Sequence, residues 1–239
     1  MHTLMLLLVI VSSLFITSSA SAVVPMKSNR IILEGSNWLG GAGVAVYSND
    51  GTYSSNDNDN HYIALNGIAY KTGYRWQCVE LVYRLYLSKG WIPLPSNPNN
   101  FSWRAPTGAY EMFDNAPANL SRSPQGQIDA IGPGDVLVLS NGGNGHVAVV
   151  DHVSGNTVRT VNQNLLINSD QTIQNITWDK ANRRVNWSGF TTVGIVHAPG
   201  STSNRSQPFI GTPADGNVVE NITPGAGGHY YVAAGGVLF

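Results

Sequence analysis

One cysteine, Cys78, stands in 239 residues, so no intramolecular disulfide is available to cross-link the fold. Stability must come from packing, and the lone thiol is the first candidate for chemistry. The chain opens with apolar runs at Met5–Ile10 and Leu14–Ile16, followed by small residues ending Ala20-Ser21-Ala22. This reads as a signal peptide over residues 1–22 with cleavage after Ala22, too short and too interrupted by serine for a membrane span. The expectation is a secreted or extracellular protein, or one in the lumen of a secretory or digestive compartment, with no membrane association after cleavage.

Six Asn-x-Ser/Thr triplets, at Asn100, Asn119, Asn175, Asn186, Asn204 and Asn221, are glycosylation candidates in that setting. Residues 23–239 are enough for one substantial domain and a tail. Charged residues make up 11%, the formal net charge is −1, and no cluster of Lys or Arg interleaves with aromatics. Nucleic acid and anionic membranes are thereby disfavoured as partners, and a monomer is expected.

The division expected is a signal peptide (1–22), an N-terminal segment (23–42), one domain (43–198) and a flexible Gly/Pro/Ser-rich tail (199–239), whose last stretch Tyr230–Phe239 is short for a lipid-anchor signal. Residues 47–60 read as a loop. Val79, Val82, Leu85 and Tyr86 recur at helical spacing within Trp76–Lys89, which Gly90 stops. Cys78 thus falls in the first turn of a helix. Residues 91–127 read as loops with one helical turn near Tyr110–Phe113. From Gly134 onward Asp135–Leu139, His146–Val153, Thr157–Val161 and Thr191–His197 are β-branched runs between Gly- and Asn-rich turns, an antiparallel sheet. The fold class is α+β.

A thiol is activated by the amides of a helix N-terminus and by a nearby imidazole. His146 follows the turn Asn141-Gly-Gly-Asn-Gly and opens a strand, which places its ring at a sheet end beside open space. If the next hairpin has the loop Ser154-Gly155-Asn156, Val153 opposes Thr157, and His146 faces Asn164 while Ala148 faces Asn162. If the loop is only Ser154-Gly155, His146 opposes Gln163, which then inherits the orienting role. Glu80, two residues beyond the thiol, points to roughly the opposite side of the helix and serves its dipole. Tyr74 and Gln77 flank the nucleophile and can bind a developing oxyanion beside the Cys78 amide. Trp76, Trp91 and Trp103 are candidates for a substrate groove, against a core role. His152 and His197 raise a metal reading, but no paired-Cys motif or His-Glu-x-x-His helix is present, and neither metal nor cofactor is expected.

The segments Tyr74-Arg-Trp-Gln-Cys-Val-Glu-Leu-Val-Tyr-Arg, Gly134-Asp-Val-Leu-Val-Leu and Gly145-His-Val-Ala-Val-Val resemble the CHAP family of cysteine- and histidine-dependent amidohydrolases and peptidases, over roughly residues 43–198. The resemblance implies a papain-like fold with the nucleophile at the start of a helix packed on an antiparallel sheet. It makes Cys78 the nucleophile and His146 the base. Many relatives then carry an acidic residue before Gln-Asn, where this chain has Asn162-Gln163-Asn164. Family members mostly cleave amide bonds of bacterial peptidoglycan, and a close branch hydrolyses glutathionylspermidine. A signal peptide favours the wall hydrolase. The alternatives are a non-catalytic wall- or glycan-binding module, an amidase on a small glutathionylspermidine-like amide, and a secreted protease on ordinary proteins.

Overall fold

The computed structural model describes residues 28–51, 59–165 and 172–200, and the backbone of four short strands nearer the C-terminus. The expected signal peptide, Asn204 and Asn221 lie outside the described residues. Among those described, no helix is long and apolar enough to cross a membrane.

The chain runs β1 (Ile31–Leu33), β2 (Val46–Tyr47), β3 (Asn60–Leu65), β4 (Ile68–Tyr74), α1 (Cys78–Ser88), β5 (Arg122–Pro124), β6 (Val136–Ser140), β7 (His146–Ser154), β8 (Thr157–Val161), β9 (Ile173–Asp179), β10 (Arg184–Asn186) and β11 (Thr191–Val196). Strands β5 to β11 form one antiparallel sheet in the order β10-β9-β8-β7-β6-β11-β5. A long helix and a mostly antiparallel sheet make the fold α+β, as the sequence predicts.

The β runs are apolar at consecutive positions because the sheet is covered on both faces. Val136, Val138, Val147, Val149, Val161 and Val196 face the core that holds Leu81, Val82, Leu85 and Tyr86 of α1. Leu137, Leu139, Val150, Val158 and Ile195 face a second core with Ile128, Trp178 and Val185. That second core exists because the sheet curls into a half-barrel. Gln125, just past the edge strand β5, bridges its open side: its side-chain amide donates to the Val185 carbonyl (2.8 Å) and accepts from the Val185 N–H (3.1 Å). The Thr192 hydroxyl donates to the same carbonyl (2.8 Å).

Helix α1 ends as the sequence predicts. Gly90, at φ 63°, takes the left-handed conformation, and the Trp91 N–H reaches back to the Tyr86 carbonyl at 2.9 Å. Its length is buried apart from the half-buried Val79. It packs against β4 and β7. The expected helical turn in the 91–127 region is a 3-10 segment at Ala109–Met112.

Strands β3 and β4 form a hairpin that the sequence reading leaves unassigned. Its turn is Asn66-Gly67, both residues at positive φ (53° and 76°), which matches the right-handed strand twist. Trp38 and Leu39, within the segment set apart as 23–42, are buried in the helix-side core. In the segment expected to be a tail, backbone strands form at Val219–Glu220, Ile222–Pro224, Tyr230–Ala234 and Val237–Leu238, the first paired with β3; the rest of that segment lies outside the described residues.

Two-sided burial gives a direct test. Leu137→Ala is expected to lower the unfolding free energy by about 2–5 kcal/mol through the cavity it leaves in the second core. A urea midpoint barely moved from the parent's would mean that this face is loosely packed.

Candidate active site

Cys78 is the first residue of α1, after Gln77 in extended conformation (φ −76°, ψ 153°). Opposite it, the turn between β6 and β7 is built on Asn141, whose Oδ1 accepts the N–H groups of Gly143 and Gly145 at 3.0 Å each. Gly145 has φ 69°, and a Cβ there would sit 2.5 Å from the Leu139 carbonyl oxygen. Glycine is therefore required immediately before His146. Cys78 and His146 line one cavity of about 620 Å³, which also takes in Tyr74, Gln77, Asn164 and Phe190.

The register of the following hairpin decides which amide meets the imidazole. The loop is Gly155-Asn156, with Ser154 opposite Thr157, so neither expected loop forms. A bulge at Asp151 restores the offset beyond it, giving Val150 opposite Thr160 and Val149 opposite Val161. This is the register of the three-residue alternative, and its continuation places Ala148 beside Asn162. His146 Nε2 and Asn162 Oδ1 are 3.0 Å apart. The orientation of the amide follows from its other bonds: Asn162 Nδ2 donates to the Thr172 carbonyl and the Thr160 hydroxyl, both at 3.2 Å. Its oxygen therefore faces the ring, Nε2 carries the proton and donates, and Nδ1 is the basic nitrogen.

The next two residues hold the nucleophile's side of the site. Gln163 Nε2 donates to the Gln77 carbonyl (3.0 Å) and to Glu80 Oε2 (2.9 Å), and Gln163 Oε1 accepts from the Tyr47 N–H (3.0 Å). Asn164, at φ 60°, donates from Nδ2 to Gln77 Oε1 (2.8 Å) and accepts from Asn49 Nδ2 (2.7 Å). Three consecutive amides thus orient the imidazole, fix the backbone before Cys78 and fix the side chain before Cys78. Among the three, the orienting contact to His146 belongs to Asn162.

Glu80 departs from the sequence expectation of a dipole-facing carboxylate. It is fully buried, and Arg84 Nε donates to its Oε1 at 2.8 Å. His61 Nδ1 (2.9 Å) and the Thr72 hydroxyl (2.8 Å) donate to the same oxygen. Arg84 in turn donates to the Ala45 carbonyl (2.8 Å) and sits over the Tyr47 ring at 5.1 Å. Despite burial, the Arg84 charge and the hydrogen bonds around it hold the Glu80 carboxyl well below the ordinary carboxylate range.

Burial sets the protonation of the reacting pair. It pushes the Cys78 thiol up, against weaker lowering by backbone groups of Val147, Val79 and Cys78 itself. It pushes His146 down to about 4, against a smaller opposing effect of the Asn162 hydrogen bond. The helix-start amides of Cys78 and Val79 do lower the thiol pKa, as the sequence reading expects, but burial outweighs them. Cys78 is 8% exposed and His146 3%, no carboxylate partners the imidazole, and the Glu80 charge is spent on Arg84. Burial therefore disfavours a thiolate–imidazolium pair at rest.

Other expected residues are placed differently. Tyr74 and Gln77 line the cavity, whereas Trp76 (0% exposed) and Trp103 (3%) are core residues, as is Trp91. Trp76 stacks on Tyr47 with ring centroids 3.8 Å apart, so the tryptophan groove is corrected to packing. Sequence reasoning missed Trp187 and Phe190, whose rings stand 6.2 and 6.0 Å from the His146 ring and shield it on the β10–β11 side. Their signal was two aromatics around a Ser-Gly turn. His197 Nδ1 donates to Asp135 Oδ2 (3.1 Å) and its Nε2 accepts from the Ser123 hydroxyl (2.8 Å), tying β5 to the start of β6. His152 lies 3.1 Å from Asp151. Among the described residues no group of three or more His, Cys, Asp or Glu is placed to hold a metal ion. Asn100, Asn119, Asn175 and Asn186 are exposed.

A family model described as CHAP domain matches residues 69–164, a span that contains Cys78, His146 and the three amides. That match supports peptidase- or amidase-type hydrolysis as the general class of activity. No curated protein matches the chain.

Two outcomes are expected. Iodoacetamide should alkylate Cys78 in the folded protein with an apparent pKa above the ordinary thiol value of about 8.5, and Asn162→Asp, which supplies the missing carboxylate, should move it downward; a parent plateau already reached below pH 7 would overturn the neutral-pair assignment. Glu80→Ala leaves the buried Arg84 charge without its carboxylate, so a loss of about 3–5 kcal/mol is expected in denaturant titration. Because the folded carboxyl is held below its unfolded value, parent stability is expected to be full above the ordinary Glu range and to fall as pH drops through about 4.3 and lower.

Proposed function

We propose that this chain, whose residues 69–164 match the CHAP domain model, is an exported cysteine amidase or endopeptidase that cleaves amide bonds of bacterial peptidoglycan. The observation that carries this reading is the convergence of Cys78, at the start of α1, and His146, oriented by Asn162, on one cavity. Export rests on the sequence of residues 1–22.

The chemistry is a two-step acyl transfer in a papain-like arrangement. His146 Nδ1 takes the thiol proton as Cys78 Sγ attacks the amide carbonyl. The Cys78 backbone N–H and the Gln77 side chain stabilise the oxyanion. The imidazolium then protonates the leaving amine, and the C–N bond breaks to leave a thioester on Sγ. Neutral again, His146 takes a proton from water, whose oxygen attacks the thioester; the acid leaves and Sγ regains its proton. Asn162 holds the ring without a counter-charge, so the imidazolium is short-lived and His146 is at rest a neutral base.

The rival binding module relied on a tryptophan groove. Burial of Trp76, Trp91 and Trp103 removes that surface.

Purified sacculi incubated with the mature chain should release new amino groups and soluble fragments, and product masses identify the bond cut. Cys78→Ala should release none. Equal release by parent and variant, or none from several wall types by a folded parent, would refute the proposal. The acid limb of kcat/KM should fall near pH 4, where His146 becomes protonated and loses its basic nitrogen.

A further inference from the structure

The cavity around Cys78 offers neutral groups. Its polar side chains are Gln77, Asn141, Asn144, Asn164, Thr107 and Tyr74, amides and hydroxyls that donate and accept without charge. Among the described residues, no lining side chain is Asp, Glu, Lys or Arg. Three ionised side chains close to lining residues have partners of their own, and Arg104, beside the lining Ala105, is exposed to solvent. Glu80 is buried behind the nucleophile with Arg84 and His61. Glu111 accepts from the Thr107 hydroxyl (2.6 Å) and N–H (3.0 Å). Lys71 Nζ lies over the Tyr74 and Phe101 rings, 5.3 and 5.2 Å from their centroids.

A substrate carboxylate or ammonium drawn into this cavity would lose hydration and find no counter-ion among the described lining residues, a cost that usually exceeds what neutral dipoles return. A carboxamide, N-acyl or hydroxyl group in the same place would find both donors and acceptors. We propose that the site selects acyl donors that are uncharged on either side of the scissile amide, so that stem peptides whose carboxyl groups are blocked as carboxamides are taken in preference to those with free carboxylates. This rests on the wall-hydrolase reading for its substrate, but the selectivity belongs to the cavity. It also bears on the small-amide alternative: a glutathionylspermidine-like conjugate, carrying free carboxylates and ammonium groups, matches the described lining poorly.

Two measurements on the full-length mature protein test it. In the first, Cys78 is alkylated by neutral iodoacetamide and by anionic iodoacetate, each rate being divided by that of the urea-unfolded chain. The folded protein is expected to favour the neutral reagent by about ten-fold or more. Methyl methanethiosulfonate should likewise outrun its cationic 2-aminoethyl analogue. Normalised ratios near one, or a preference for either charged reagent, would overturn the proposal. In the second, sacculi are compared before and after conversion of their stem carboxyls to carboxamides with a water-soluble carbodiimide and ammonia. Faster release from the amidated wall is expected, and equal or slower release would overturn the selectivity while leaving wall hydrolysis intact. If neither wall is cleaved but the neutral reagents are favoured, the wall reading fails and the neutral cavity stands.

Discussion

The buried carboxylate of Glu80 is the contact on which the rest of the site depends. A charge at zero exposure is tolerable only when its oxygens are fully engaged, and here they are shared among Arg84, His61, Thr72 and Gln163. Each partner comes from a different part of the chain: His61 from β3, Thr72 from β4, Arg84 one turn along α1, and Gln163 from the segment after β8. Gly73 permits the approach of β4, since a Cβ there would stand 3.0 Å from Glu80 Cβ. The requirement to satisfy one charge therefore fixes where the hairpin, the helix and the end of β8 meet. Gln163 extends that fixed point to the Gln77 carbonyl, and so to the start of the helix that presents the thiol.

The sheet supplies the other half of the site by register. An antiparallel pair transmits a turn's geometry along its length, and an inserted residue moves every later side chain to a new partner. The Asp151 bulge is such an insertion. Without it, the two-residue turn would carry its own offset as far as His146, and Asn162 would not stand where its oxygen meets the ring. Asp151 is held in turn by Arg159 (2.9 Å) and by the Leu39 N–H, so the bulge is pinned by packing of the N-terminal segment on β7.

What was legible in the sequence follows from how local each signal is. The helix over Cys78–Ser88, expected over Trp76–Lys89, and the strands β6, β7, β8 and β11 carry their own periodicity or β-branched runs, and their ends agree with the sequence reading to within two residues. The β3–β4 hairpin carried an Asn-Gly turn between apolar stretches, a local signal that was present and overlooked. Strands β9 and β10 mix polar and apolar residues because one side of the curled sheet is exposed, so they lacked a continuous run. The role of Glu80 was not legible, since its partners lie up to 83 residues away. The tryptophans misled for a related reason: an aromatic near a nucleophile looks the same in sequence whether it faces a groove or, like Trp76, stacks beneath the helix start.

Neutrality links the base, the nucleophile and the cavity. An acid at position 162 would stabilise an imidazolium and draw the thiol toward thiolate, giving a charged pair at rest. Asn162 gives the same orientation without the charge, and its own donors are fixed by Thr172 and Thr160, so it cannot turn to present a positive edge to the ring. On the proposed mechanism, the Cys78–His146 pair then develops charge only as the amide is attacked, when the oxyanion forms beside the Cys78 amide and offsets it. A lining of amides and hydroxyls suits that sequence of events, because dipoles held in place by their own hydrogen bonds stabilise a transient charge without reorganising, whereas a fixed carboxylate or ammonium would bias the pair before the substrate arrives. The acidic residue missing from the Asn-Gln-Asn segment and the uncharged side chains of the cavity wall are thus one electrostatic solution, expressed at two places in the chain.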